Sequence, residues 1–280
     1  MGKAFEEIKA LHAQSTFGAK EGFAFKYFSR PIASFILYHI KDSRWTPNQI
    51  TILSLIVGII GSVVHMTMLS WGGLLLGGAL FMLAHVLDAL DGQLARHRKA
   101  GSVIGMYFDF FIDEIKAYLM YGALAVRLFM QAATDRGSGW LPFGDAEPFE
   151  LSLLSPTWLL DHVSKTMDWT PIWLIFLALT GLGALAVGIS CTQFLKLKEW
   201  KEAFPTPEGA DPNAKPGGIV GLIEKVGHFV VDYPSYIIPL CIINRVDVYL
   251  LLYTLVVCAY ATRALSGISL KLWRVNPYRK

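Results

Sequence analysis

Between Asp88 and Asp113, four carboxylates and an arginine stand inside stretches that otherwise read as membrane-spanning helices. The segment runs Asp88-Ala-Leu-Asp91-Gly92-Gln-Leu-Ala95-Arg96, then eight residues, then Gly105-x-x-x-Asp109-x-x-x-Asp113. Apolar runs of about 20 residues on either side suit an all-α, polytopic membrane protein. Ionisable groups at such depth are costly, and by default they mark a functional site.

The spacing describes that site. On a helix, positions i, i+3, i+4, i+7 and i+8 share a face. Asp88, Asp91, Gly92, Ala95 and Arg96 fit one such face, and Gly105, Asp109 and Asp113 form a stripe on the next helix. A short turn that sets the two helices side by side brings the carboxylates into one small volume. Anions gathered in low dielectric need cations between them. An all-oxygen donor set without Cys or His suits hard ions such as Mg²⁺, Mn²⁺ or Ca²⁺. Two ions roughly 4 Å apart, the arrangement of many phosphoryl-transfer sites, would satisfy it. Gly92 and Gly105 leave the backbone open to a ligand, and Arg96 offers a planar fork for a phosphate.

The whole pattern, D-x2-D-G-x2-A-R-x8-G-x3-D-x3-D, resembles the signature of the CDP-alcohol phosphotransferase family of membrane enzymes, with every fixed position met. The resemblance implies transfer of a substituted phosphate from a CDP-linked donor to an alcohol, with release of CMP. It implies Asp88, Asp91 and Asp109 as core ligands of Mg²⁺ or Mn²⁺. Asp113 would complete the second ion's shell and act as general base toward the incoming hydroxyl. The CDP donor would meet Asp88, Gly92, Ala95, Arg96 and Gly105. The stretch Thr46-Pro47-Asn48-Gln-Ile-Thr51 resembles another family feature and implies a nucleotide contact from Asn48. A homodimer is implied as well.

Composition agrees with a membrane protein: 54% of the 280 residues are hydrophobic and 17% charged, and the mean hydropathy is +0.44. Six transmembrane helices are expected, at about 48–69, 72–95, 103–132, 171–194, 226–243 and 247–270. Before them lies an amphipathic N-terminal segment, 1–46, whose piece 31–40 reads as a helix lying in the membrane interface. The catalytic domain is set at 47–272, with an outer loop at about 133–170, and a tail at 273–280. Thr46 and Pro47 suit the N-cap and first turn of the first span. No signal-peptide pattern opens the chain. Cys191, Cys241 and Cys258 lack metal spacing and read as packing residues.

Basic residues of the N-terminal segment, the 96–99 turn, the 195–225 loop and the tail fall on one side. By the positive-inside rule that side is cytoplasmic, which puts both termini and the Asp88–Asp113 hairpin there; in a bacterial cell the membrane would be the inner one. A net charge of +3 is too small to argue for nucleic acid. The basic clusters suit a membrane surface.

Other polar residues are weighed individually. Lys116 either neutralises Asp109 or Asp113, within helical reach, or meets the acceptor. Arg263 has the same two readings, an interhelical partner or an acceptor contact. His85 reads as a packing residue, and Asp161, His162 and Asp168 as solvated residues of the outer loop. CDP-diacylglycerol with a small alcohol acceptor is the favoured substrate pair in phospholipid biosynthesis. The alternative is a CDP-choline or CDP-ethanolamine donor with diacylglycerol. A membrane prenyltransferase would leave Gly92, Arg96 and Gly105 without a purpose. A divalent-cation transporter would need polar residues along a through-path.

Overall fold

A computed structural model describes residues 2–16, 25–134, 170–205, 218 and 237–274. Every regular element of any length among them is a helix: α1 (Gly2–Thr16), a π-helical turn (Phe25–Ser29), α2 (Arg30–Ile40), α3 (Pro47–Thr67), α4 (Trp71–His97), α5 (Val103–Thr134), α6 (Thr170–Lys196), α7 (Lys198–Ala203), α8 (Ile237–Ile242) and α9 (Val246–Arg274).

Among the described residues, four helices are long and apolar enough to cross a membrane: α3, α4, most of α6 and nearly all of α9. The 32-residue α5 is longer than any of them, but Asp109, Asp113, Glu114, Lys116 and Arg127 interrupt its apolar run. Of the expected span at 226–243 only the end, α8, is described. The outer loop at 135–169, with Asp161, His162 and Asp168, lies outside the described residues.

Helix α3 is largely polar inward and apolar outward. Its buried face is Ile50, Thr51, Ser54, Gly58, Gly61, Ser62 and His65, while Ile52, Ile56, Ile59, Ile60 and Val63 are exposed. That inversion suits a helix with lipid outside and a polar site inside. Its start is a capping box: Thr46 Oγ1 accepts from the Gln49 amide at 3.3 Å, and Gln49 Oε1 accepts from the Thr46 amide at 3.0 Å. Pro47 occupies the first turn, as the sequence suggests.

Helix α3 packs on both α4 and α5, and α6 and α9 close against α5. Tyr121 of α5 joins the two groups, its hydroxyl 2.6 Å from Thr254 Oγ1 of α9 and donating to the Leu177 carbonyl of α6 at 3.1 Å. Gly181 makes that crossing possible, since a Cβ there would overlap the Tyr121 ring. The three cysteines are free, as expected. At the other end, α2 packs on α4 through Ala33, Ser34 and Leu37, while Ile32 and Phe35 are exposed. Helix α1 lies against both, with Lys41 paired to Glu7.

Candidate functional site

The chain reverses between α4 and α5 over residues 98–102. Lys99 adopts φ +52°, and the Ala100 amide donates to the Ala95 carbonyl at 2.9 Å, closing the helix end by a left-handed cap. The two aspartate stripes therefore face one another, both helices being packed on α3. One oxygen each from Asp88, Asp91 and Asp109 lies within 4.8 Å of the others.

Asp113 is joined to Asp88 through a lysine. Lys116 Nζ is 2.5 Å from Asp88 Oδ1 and 2.7 Å from Asp113 Oδ1, and it donates to Ser54 Oγ at 3.0 Å. Of the two readings open for Lys116, the geometry displays the carboxylate partner. That partner set includes Asp88 on the neighbouring helix, which spacing along α5 could not reveal.

The donor set fits a hard divalent cation on a structural observation. Asp109 Oδ1 is buried with no hydrogen-bond partner among the described residues. Buried carboxylate oxygens are seldom left so, and here it belongs to a converging group of three. Asp91 is held by α3: Thr51 donates to its Oδ2 at 2.5 Å, leaving its other oxygen for the centre.

Beside the carboxylates opens a cavity of about 430 Å³, lined by Asn48, Thr51, Asp91, Gly92, Ala95, Arg96, Gly105 and Asp109, with Lys99 and the 100–102 turn at its rim. Asn48, Gly92, Ala95, Arg96 and Gly105, all expected at the donor, thus share one cavity. The glycines have room-making roles. A Cβ on Gly92 would come within 3.2 Å of the Arg96 guanidinium, and one on Gly105 within 3.0 Å of Ser102 Oγ and 3.7 Å of Asn48 Oδ1. Arg263 is exposed on α9 and is not among the residues lining this cavity.

The site also has parts that no motif announces. Arg96 Nε donates to the Ser15 carbonyl at the end of α1, and Arg30 Nη1 reaches the same oxygen at 3.5 Å. Two guanidinium groups thus approach each other at the cavity's edge. Burial, and then the charge of Arg96, bring Arg30 down to about 10. His85, expected to be a packing residue, is one: its Nδ1 is 2.7 Å from Ser29 Oγ, and its ring lies against Phe25 with centroids 4.0 Å apart. The signal for Ser54 and Thr51 was available as small polar residues at i and i+3 in an apolar helix.

Residues 44–141 match the family model described as CDP-alcohol phosphatidyltransferase. Curated relatives align over the same order of length. The chain is 29% identical over 111 residues to the "Bifunctional IPC transferase and DIPP synthase" of Aquifex aeolicus, covering 40% of this chain and 24% of that one. For the protein of the same name from Thermococcus kodakarensis the identity is 31% over 113 residues, 39% and 25% of the two chains. For that of Rubrobacter xylanophilus it is 34% over 98 residues, 35% and 22%. The matched part is about a quarter of each relative's length. Every residue named at the centre, from Asn48 to Lys116, falls inside the interval 44–141 that is similar to the CDP-alcohol phosphatidyltransferase model.

Proposed function

We propose that this chain is a divalent-metal-dependent phosphotransferase that moves a substituted phosphate from a CDP-linked donor to an alcohol hydroxyl, releasing CMP. The observation that carries the reading is the convergence of Asp88, Asp91 and Asp109 within 4.8 Å beside a cavity walled by Asn48, Gly92, Ala95, Arg96 and Gly105. The relatives named as IPC transferase and DIPP synthase support a transferase.

Each side chain has a physical task in this reaction. Asp88, Asp91 and Asp109 hold Mg²⁺ or Mn²⁺, which supplies charge neutralisation at the donor's diphosphate. Arg96, with Lys99 at the rim, meets the phosphate oxygens by charge-assisted hydrogen bonds. Gly92, Ala95 and Gly105 let the nucleotide lie on the backbone, and Asn48 gives its amide to the base or ribose. Asp113 takes the proton from the attacking hydroxyl.

For the donor we favour CDP-diacylglycerol. Val103, Ile104, Met106 and Tyr107 are all exposed on the first turns of α5, and Met106 also lines the cavity. A donor whose nucleotide sits in the cavity could pass its acyl chains over this apolar turn into the bilayer.

The test is CMP release by the protein purified in detergent, with Mn²⁺ or Mg²⁺, CDP-diacylglycerol and a panel of alcohols. Release is expected to require one acceptor and to fall at least about a hundredfold in Asp113→Ala, the range for loss of a general base. It should also vanish when the metal is chelated. Absence of CMP with every donor and acceptor would overturn the reading.

A further inference from the structure

Among residues 2–15 of α1 only Leu11 and Ser15 are buried, yet the end of this helix meets the arginine of the cavity. Ser15 is the penultimate residue of α1. Its carbonyl is therefore one of the four that a helix leaves without an intrahelical partner, and it lies at the negative end of the helix dipole. Arg96 serves that oxygen with Nε. A guanidinium tied by Nε still offers its Nη1–Nη2 edge to a ligand. On Arg96 that edge lies over Gly92, with Nη2 3.2 Å and Nη1 3.4 Å from where a Cβ would stand, in the wall of the cavity.

A buried polar seam sets the register of this contact. On α2, Ser34 Oγ donates to the Arg30 carbonyl at 2.7 Å and lies 2.9 Å from His12 Nδ1 of α1. Gln93 Nε2, one turn before Arg96 on α4, donates to the same Arg30 carbonyl at 3.2 Å. The seam also brings Arg30 Nη1 to the Ser15 oxygen, at 3.5 Å. Arg30 has further partners of its own, but its charge stands close enough to Arg96 for the two to repel. An anion bound on the Arg96 fork lowers that repulsion and so favours the docked helix.

We propose that α1 is a positioning strap for the donor's phosphates: the Ser15 carbonyl holds Arg96 by Nε so that the opposite fork faces the cavity, and docking of α1 and binding of a nucleoside diphosphate strengthen one another. This rests on the reading of the cavity as the donor's nucleotide site. Ser15 acts through Arg96, and Leu11 keeps Ser15 in place. The coupling is reciprocal: if docked α1 tightens the nucleotide, bound nucleotide must tighten α1.

The experiment is CDP binding to the purified full chain with Mg²⁺, measured by titration calorimetry, together with hydrogen exchange of the α1 amides. In the wild-type chain, saturating CDP should slow exchange in α1 by about tenfold. Leu11 is not in the cavity wall, so Leu11→Glu undocks α1 and leaves the wall as it is. It should weaken CDP by about tenfold, the loss of one well-aimed charge-assisted hydrogen bond. In an Arg96→Gln background the same change should cost nothing, because the strap then has no guanidinium to aim. Exchange in α1 that is unchanged or faster with CDP bound overturns the inference and leaves the nucleotide site standing. An equal loss from Leu11→Glu in both backgrounds overturns it too. No CDP binding to the wild-type chain removes the donor reading and the inference together. The wild-type exchange decides the matter even where a variant does not fold.

Discussion

Arg127 is fully buried, and its guanidinium donates to the carbonyls of Met68 at 2.7 Å, Leu69 at 2.6 Å and Ser70 at 2.8 Å. Those oxygens sit just past the end of α3, where a helix has carbonyls without intrahelical partners. Water would serve them at a surface, but here a fixed fork from α5 does so. Replacing Arg127 by Met leaves the Leu69 carbonyl with Gln131 Nε2 at 3.3 Å and the Ser70 carbonyl with the Leu74 amide at 3.0 Å, and takes from the Met68 carbonyl its Arg127 donor, at about 1–3 kcal/mol. The expected outcome is a loss of that order, seen as a lower midpoint of thermal unfolding in detergent. Lys at this position should recover only part, since a point ammonium cannot reproduce the planar fork. Asp113 lies fourteen residues away on the same helix, about 21 Å, so CMP release below the unfolding temperature should persist. At this scale the sequence was legible where spacing carried chemistry. The aspartates, glycines and Arg96 repeat on a helical period, whereas Arg127 and Ser54 act across helices, on partners far away in sequence. Lys116 shows the boundary: its reach to Asp113 could be read along one helix, its contact with Asp88 only from two.

Helix α2 is tied to the end of α4 by one side chain. Arg98 donates to the Lys41 carbonyl at 2.9 Å and the Ser43 carbonyl at 2.7 Å, and also to the Trp45 carbonyl. The 41–45 link therefore follows the turn that sets Asp88 and Asp91 beside Asp109. Arg98→Ala removes these bonds, each worth about 0.5–1.5 kcal/mol at a site open to water. Local opening of the link should rise by an order of magnitude or more, and trypsin should cut faster after Lys41 or Arg44 while the spanning helices stay intact. Unchanged cleavage would show that the packing of Ala33 and Leu37 on α4 holds the link without Arg98. Element boundaries were readable because end signals are local. The Thr46–Pro47 start and the Trp71 start of α4 fall within about one residue of expectation. Helix α1 was less legible: residues 2–16 mix charge and apolar residues without a strong period, and their packing on α2 and α4 is decided by those helices.

Across the whole molecule, the depth and sidedness of the site are linked. Asp91 and Asp88 lie six and nine residues before His97, the end of α4, or about 9 and 14 Å along a helix about 40 Å long. The cavity beside them has the 99–102 turn in its lining, so the donor of the proposed reaction would arrive from that side. Lys41, Arg44, Arg98 and Lys99 gather at the same end, while Ser70, Trp71 and Gly72 at the opposite end carry no charge. Under a positive-inside bias these positions would set the cavity mouth on the cytoplasmic side, the orientation we propose. Cysteine labelling reads this directly in a background with Cys258 replaced by Ser, because Cys191 and Cys241 are buried. Asp42 and Gly72 are both exposed, and a Cβ on Gly72 meets only Ser70 Oγ, at 4.0 Å. In sealed cells, Gly72→Cys should react with an impermeant maleimide and Asp42→Cys should not; in inverted vesicles the pattern should reverse. The opposite result would turn the cavity away from its nucleotide, and a donor charged on the cytoplasmic side could then reach Asp91 only by crossing the bilayer, which no exposed polar face of α3 or α4 provides.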